Sequence, residues 1–358
     1  MTTQTRPSPE QIIQARADNP KMRERDFAQS LAISEADFIA AHCGMDETSA
    51  ISARRIRADV EALLKSAPSL GEVMTLTRNE SAVHEKIGPF EKTGFNQHAS
   101  IALGKQIDLR IFPKHWVHGF AVAKYDGEHI RRSLQFFDAA GEAVHKIHLR
   151  PASNVEAYEE LVSELLLDDQ TPSIEITPPA AAKAKVDTSL VDTAAFRQRW
   201  SKLTDVHQFV GLLKDFGLER YQAVHLAGND FAWRVDTSSV EAMMRHAIQE
   251  ELSIMCFVGS RGCIQIHTGP IHEIKMMGPW LNVLDPTFHL HLRADHIADV
   301  WVVRKPTKDG HVTSLEAYNA KGELIIQFFG ERHEGETELA DWRVVAENLP
   351  RLPQSSAA

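Results

Sequence analysis

The chain has 358 residues, enough for two domains or two halves of one, and its 43% hydrophobic and 25% charged content is ordinary for a globular protein. A formal net charge of −10 excludes a broad phosphate-tracking surface, though not a local cluster of Arg and Lys around a small anionic ligand. Apolar runs such as LIIQFF fall far short of the ~20 residues that span a bilayer. Cys43, Cys256 and Cys263 form an odd set without CxxC spacing, which argues against a disulfide framework or a zinc knuckle. The opening MTTQTRPSPEQ has no apolar core, so the expected compartment is the cytoplasm.

Helices are expected first, in PEQIIQARADNP, ERDFAQSLAIS and EADFIAAHCG. Strands follow. IDLRIF (107–112) alternates apolar and polar residues at period two, and YDGE supplies a hairpin turn. The stretch DDQTPSIEITPPAAAKAKVDTS (168–189) is rich in Pro, Ala and Thr and reads as a linker. Helical patterns return in FRQRW, DVHQFVGLLKDFG and SVEAMMRHAIQE. Strands then resume in FHLHLR (288–293), VWVVRK, SLEAYN and ELIIQFF, with turns at KDGH and AKGE. The end, LPRLPQSSAA, reads as a mobile tail. The expected boundaries are 1–167 for a first repeat, 168–189 for the linker, 190–347 for a second repeat and 348–358 for the tail.

The two halves resemble each other. EKIGPFEK (85–92) lies over IHTGPIHE (266–273), so Gly88-Pro89 matches Gly269-Pro270. IDLRIF lies over FHLHLR, which sets Arg110 opposite His291, and SLQFFDAAGEAVHKI (133–147) lies over SLEAYNAKGELIIQF (314–328), which sets Gly141 opposite Gly322. The implied architecture is α+β with an internal duplication, each half a large antiparallel sheet flanked by helices.

Within WSKLTDVHQFVGLL (200–213), Thr204 or Asp205 can N-cap a helix through a side-chain oxygen. Val206, Phe209, Val210, Leu213 and Phe216 then define its buried stripe. His207 falls on the flank of that stripe and shares it with Gly211 at i+4. A glycine inside a helix costs about 1 kcal/mol relative to alanine. A flat ligand on the bare flank would account for it; close helix–helix packing would too.

DVHQF in that helix, the duplicated sheet, RNESAVHEKIGPF and GPWLNVLDPTFHLHLRADHIADVWVVRK together resemble the bacterial hemin-degrading and hemin-transport proteins of the HemS, HmuS and ChuS type, over about residues 10–345. The resemblance implies a cytoplasmic protein of haem uptake that holds one haem b in a cleft between its halves. It implies His207 as the axial ligand of the iron, with a partner on its second ring nitrogen that the sequence does not name. It also implies that Arg110 approaches the other haem face, as a hydrogen-bond donor that stays protonated. The outward-facing alternative for Arg110 is a surface ion pair. Further haem contacts are implied at Arg220, Phe257, Lys305, Gln327, Phe329 and Arg332, with the cations suited to the haem carboxylates. Relatives carry tyrosine where this chain has Phe329, so a phenolic hydrogen bond is lost there.

Two activities are open under the resemblance. In one, His207 and Arg110 serve oxidative opening of the haem ring with release of iron, driven by an external reductant. In the other, the protein is a haem chaperone or store that serves a separate haem oxygenase. The partners would be haem, the cytoplasmic side of a haem ABC importer, and a reductase or that oxygenase; neither nucleic acid nor membrane insertion is expected.

His267, His272, His289, His291 and His296 cluster in the second half without a familiar metal-ligand spacing. The repeat makes His291 a candidate for a second haem site, and His84 and His225 are candidate auxiliary ligands. No GxGxxG, GxxxxGK[ST] or GxSxG motif is present, so any reductant comes from outside the chain.

Overall fold

The computed structural model describes residues 6–46, 49–127, 129–178, 185–332 and 335–353. The chain divides into two compact units. One comprises Met1–Arg78, Glu85–Ala181 and Gly259–Gln265, the other Asn79–His84, Ala182–Val258 and Ile266–Ala358. Each unit therefore follows one half of the chain and takes in a short segment from the other half.

The first unit opens with α1 (Pro9–Asp18), α2 (Glu24–Ser30) and α3 (Glu35–Ala40), then β1 (Ile51–Ile56), α4 (Val60–Ser66), β2 (Gly71–Arg78) and β3 (Ala82–Gly88), whose first residues belong to the second unit. A meander of β4 (Lys92–Gly94), β5 (Ser100–Leu103) and β6 (Asp108–Ile111) follows, then β7 (His118–Asp126), β8 (His129–Phe137), β9 (Ala143–Ser153) and α5 (Val155–Leu165). Strands β1, β7, β8, β9 and β2 pair antiparallel in that order. Period-two alternation sorts β7 between two cores. Phe120 and Val122 pack with Phe27, Phe38 and Ile39 of α2 and α3, whereas Ala121 packs with residues of α4 and α5. Asn154 fixes the start of α5 by accepting the Ala157 N–H, and Ala157, Tyr158, Leu161, Val162 and Leu165 form its buried line.

The second unit repeats the plan with α6 (Thr193–Ser201), α7 (Gln208–Phe216), α8 (Arg220–Leu226), β10 (Ala232–Val235), α9 (Ser239–Gln249), β11 (Ile254–Gly259) and β12 (Cys263–Gly269), although Gly259 and the first residues of β12 belong to the first unit. The meander here is β13 (Ile274–Met277), β14 (Trp280–Leu284) and β15 (Phe288–Arg293). After it come β16 (Asp299–Thr307), β17 (Gly310–Tyr318), β18 (Leu324–Gly330) and α10 (Ala340–Glu347). Strands β10, β16, β17, β18 and β11 pair antiparallel in that order. Along β16, Val300 and Val302 join the core beneath α9 and α10, while Trp301 and Val303 join Phe196, Trp200, Phe209, Leu212 and Val224 of α6–α8. Lys305 is next in the second series, so its side chain points to the α6–α8 face.

The duplication reaches backbone detail. A register shift at Phe136/Phe137 between β8 and β9 recurs at Ala317/Tyr318 between β17 and β18. Each is followed by a turn glycine, Gly141 or Gly322, with φ of +77°, which only glycine adopts freely. A Cβ on either would collide with the helix that covers the turn: Ser34 for Gly141, Tyr221 for Gly322.

Part of the expected linker (179–184) and the last residues of the expected tail (354–358) lie outside the described residues. At 350–352 the chain bonds along β10: the Asp236 N–H donates to the Pro350 carbonyl and the Leu352 N–H to that of Arg234. No described helix is long and apolar enough to cross a membrane.

Candidate functional site

The sheet face under α6–α8 is set by register. Glu316 of β17 pairs with Gln327 of β18, which pairs with Phe257 of β11; Ser314 pairs with Phe329 and Phe329 with Met255. These residues therefore share one face with Lys305. The Phe257 and Phe329 rings meet edge to face at 4.9 Å. Four residues expected at the site from resemblance, Phe257, Lys305, Gln327 and Phe329, are thus brought to one surface by three strands. His207 and Arg220 reach the same unit on α7 and α8, and Arg332 follows β18.

His207 stands at the start of α7 with its side chain 92% exposed. The expected cap residues do not cap the helix. His207 itself occupies the N-cap position without a side-chain cap bond, because a tight turn precedes it: the Gln208 N–H donates to the Asp205 carbonyl and the Phe209 N–H to that of Val206. Asp205 Oδ1 instead accepts both the His207 backbone N–H and the His207 ring Nδ1–H, each at 2.7 Å. These bonds hold the Asp205 carboxyl below its usual range, with Arg332 adding a smaller favourable charge. Nδ1 is thereby the protonated nitrogen, and Nε2 presents its lone pair outward.

Starting the helix at Gln208 also sets its phase. Phe209 and Leu212 are buried, while Val210, expected in the buried stripe, is 67% exposed. Val210 therefore joins His207 and Gly211 on an open flank, where a Cβ added to Gly211 would meet nothing within 4 Å. The helix ends on Gly217 at φ +67°, and the Leu218 N–H closes back onto the Leu213 carbonyl.

Beneath this turn lies a buried charge cluster. Glu316 is fully buried, and its Oε1 accepts from Lys305 Nζ at 2.9 Å, Arg220 Nη1 at 3.1 Å, Gln327 Nε2 at 2.8 Å and Ser314 Oγ at 2.9 Å. Its Oε2 accepts the Tyr318 hydroxyl at 2.5 Å. Burial by itself would raise the Glu316 carboxyl, but the charges of Lys305 and Arg220 and the Tyr318 hydrogen bond pull it far below the carboxylate range. Burial lowers Lys305, and Glu316 opposes that shift. Arg220 and Lys305 also flank the Phe209 ring, at 5.1 and 5.0 Å from its centroid, and Trp200 meets the same ring at 4.8 Å. Phe209 thus ties the His207 turn to the two cations.

Arg110 belongs to the first unit, where its guanidinium pairs with Asp108 of the same strand and donates to the Leu109 carbonyl at 3.2 Å. The other histidines are engaged structurally. His267 stacks on Phe288 at 3.8 Å and 5°, and His84 packs on the same ring. His291 bonds Asn282 at 2.6 Å, His296 bonds Ser81 at 3.0 Å, His272 pairs with Asp285, and His225 packs against Tyr221 and Trp301. His289 sits on β15, paired with Leu284.

Sequence reasoning missed Asp205 as the imidazole partner, Phe209 as the bridge and Glu316 as the hub. For Glu316 a signal existed: a carboxylate in SLEAYN at period two with Ser314 and Tyr318, between apolar Leu315 and Ala317.

Comparison with known proteins gives a consistent result. The hemin transport protein HemS of Yersinia enterocolitica is 40% identical over 335 residues, 93% of this chain and 94% of its own length. The crystal structure of holo-PhuS, a heme-binding protein from Pseudomonas aeruginosa, superimposes with a TM-score of 0.92 at 42% identity, covering 97% of this chain and all of that one. The structure of ChuS, an E. coli heme oxygenase, superimposes with a TM-score of 0.83 at 37% identity, covering 93% and 98%. The profile of the haemin-degrading HemS.ChuX domain matches twice, at residues 32–165 and 217–349, once in each half. With the duplicated sheet already in place, the conclusion is direct: this chain belongs to the haemin-degrading HemS.ChuX family.

Proposed function

We propose that the second unit binds haem, with His207 as the axial ligand, and that the protein serves haem utilisation in the cytoplasm. The observation that carries this reading is the exposed His207 imidazole. Its Nδ1 is held by Asp205, and Gly211 one turn on leaves the adjacent flank bare. A planar tetrapyrrole fits such a flank, and a metal-ligating imidazole needs a partner on its other nitrogen. Phe257 and Phe329 offer apolar contact to the ring, Gln327 a polar contact, and Arg220, Arg332 and Lys305 the cations for its carboxylates.

Oxidative ring opening with release of iron is the proposed activity, with electrons from an external reductant; bound haem itself supplies the oxygen chemistry. The chain's part is to ligate, orient and limit water at the ring. The description of ChuS as a heme oxygenase supports this reading, whereas that of HemS as a hemin transport protein supports a second one, a chaperone that passes haem to a separate oxygenase. One assay separates them. The purified protein is loaded with haem and given an electron donor plus catalase. Loss of the Soret band with iron release that persists under catalase is the result expected for ring opening. Bleaching abolished by catalase would be peroxide damage and would favour delivery.

Gly211→Ala tests the placement without touching a ligand. Alanine removes the helix penalty of about 1 kcal/mol, so the unfolding midpoint is expected to rise. The added methyl occupies the bare flank, so haem affinity is expected to fall. An affinity unchanged in the stabilised variant would put the ring elsewhere.

A further inference from the structure

Glu316 does not face solvent, yet every polar group it holds belongs to the proposed haem-binding face or packs against it. We infer that Glu316 is a positioning residue of this site: it fixes Arg220 and Lys305 as a charged pair against the Phe209 ring and so prepares the face for the carboxylates of the ligand. The inference rests on the haem reading above and adds a residue that would touch neither iron nor ring.

The first half supplies the contrast. The bulged hairpins place Ser133 opposite His148 as Ser314 lies opposite Phe329, and Gln135 opposite Lys146 as Glu316 lies opposite Gln327. Gln135 therefore stands where the second half has Glu316. Lys124, which matches Lys305, pairs with Glu24 of α2, and Lys146 pairs with Glu35 of α3. Each of those lysines has its own carboxylate, supplied by a covering helix. In the second half the helix supplies a cation, Arg220, and the strand supplies the carboxylate. Two cations then share one anion. The surplus positive charge is what an acidic ligand requires, and it persists only while Lys305 stays protonated in a buried position.

Glu316 performs that task. The groups that face Lys305 are Glu316 and Ser314 on β17, Arg220 on α8 and the Phe209 ring on α7; Tyr318 and Gln327 complete the shell of Glu316, and Asp299 acts on Tyr318. Without Glu316, burial and the neighbouring guanidinium both drive Lys305 toward its neutral amine. The sign is fixed. A lysine with a lowered pKa keeps its charge at low pH and loses it as pH rises.

The test compares hemin with hemin dimethyl ester, because the ratio of their affinities cancels what iron ligation contributes. For the wild-type chain the ratio is expected to exceed one and to fall less between pH 6.5 and 9 than in the variant, because Glu316 opposes the lowering of Lys305. For Glu316→Gln it is expected to fall by about tenfold across that range, the worth of one charge-assisted hydrogen bond. Lys305→Met should give a low ratio at every pH, which assigns the titration to that amine. Glu316→Asp keeps the charge one methylene further away and should lie between wild type and Gln; it serves as the readout if the Gln variant does not fold. A folded Glu316 variant with the wild-type pH profile would overturn the inference while leaving the haem reading intact. A wild-type chain that binds neither hemin nor its ester would instead sink the haem reading, and this inference with it.

Discussion

His207→Ala is expected to weaken haem binding by about two orders of magnitude and to change the Soret band of whatever haem remains bound. Loss of a partner that merely orients a metal-ligating histidine costs about 10–100-fold, so loss of the ligand itself sets at least the upper end of that range. The fold should be indifferent. The side chain is 92% exposed, and its ring hydrogen bond is to Asp205, itself largely exposed. An unfolding free energy within about 0.5 kcal/mol of wild type is expected for such a surface position. That combination of an intact fold, a lost spectrum and weak retention is the signature of a ligand. An unchanged spectrum and affinity would remove His207 as the axial residue, and the apolar pair of Phe257 and Phe329 would then have to be explained without it.

Most of the architecture was legible because it is written in local signals that the chain states twice, once in each half. Alternation in FHLHLR and VWVVRK places every second side chain, and the same alternation sorts Trp301 and Val303 from Val300 and Val302 in the structure. Gly141 and Gly322 marked matching turns, and both carry φ of +77°. The site was less legible, for three physical reasons. Helix phase depends on where the first turn closes, and one residue is 100°; starting α7 at Gln208 turned Val210 out of the buried stripe. Asp205 reads as a cap residue in the sequence, whereas the turn at 205–208 directs its carboxylate to the imidazole. Glu316 draws no assignment, because a buried glutamate is recognised only by its partners: Lys305 meets it through the β16–β17 pairing, and Arg220, remote in sequence, only once α8 packs on the sheet.

Gly322→Ala should be the most damaging single-methyl change in the second unit. The residue sits at φ +77°, where an L side chain costs about 1–2 kcal/mol from its own backbone. The new methyl would also lie 2.6 Å from Tyr221 Cδ1. Tyr221 has little room to yield, since its ring rests against Tyr318 at 5.1 Å and His225 at 4.7 Å and its hydroxyl donates to Asp299 at 3.0 Å. Overpacking of that kind costs about 1–3 kcal/mol more, so denaturant unfolding should show a loss of about 2–5 kcal/mol. The change is expected to reach the site as well. Tyr221 follows Arg220 on α8, and moving the ring moves the residue that ties this helix to Glu316. Haem affinity should therefore fall even in the fraction that remains folded, in contrast to His207→Ala, where affinity falls and stability does not. Gly141→Ala gives the matching measurement in the first unit: its methyl would strike Ser34, the N-cap of α3, and it should destabilise comparably. A Gly322→Ala protein with wild-type stability would mean that the turn and α8 are not packed against each other as described, and the coupling of Arg220 to the sheet would fail with it.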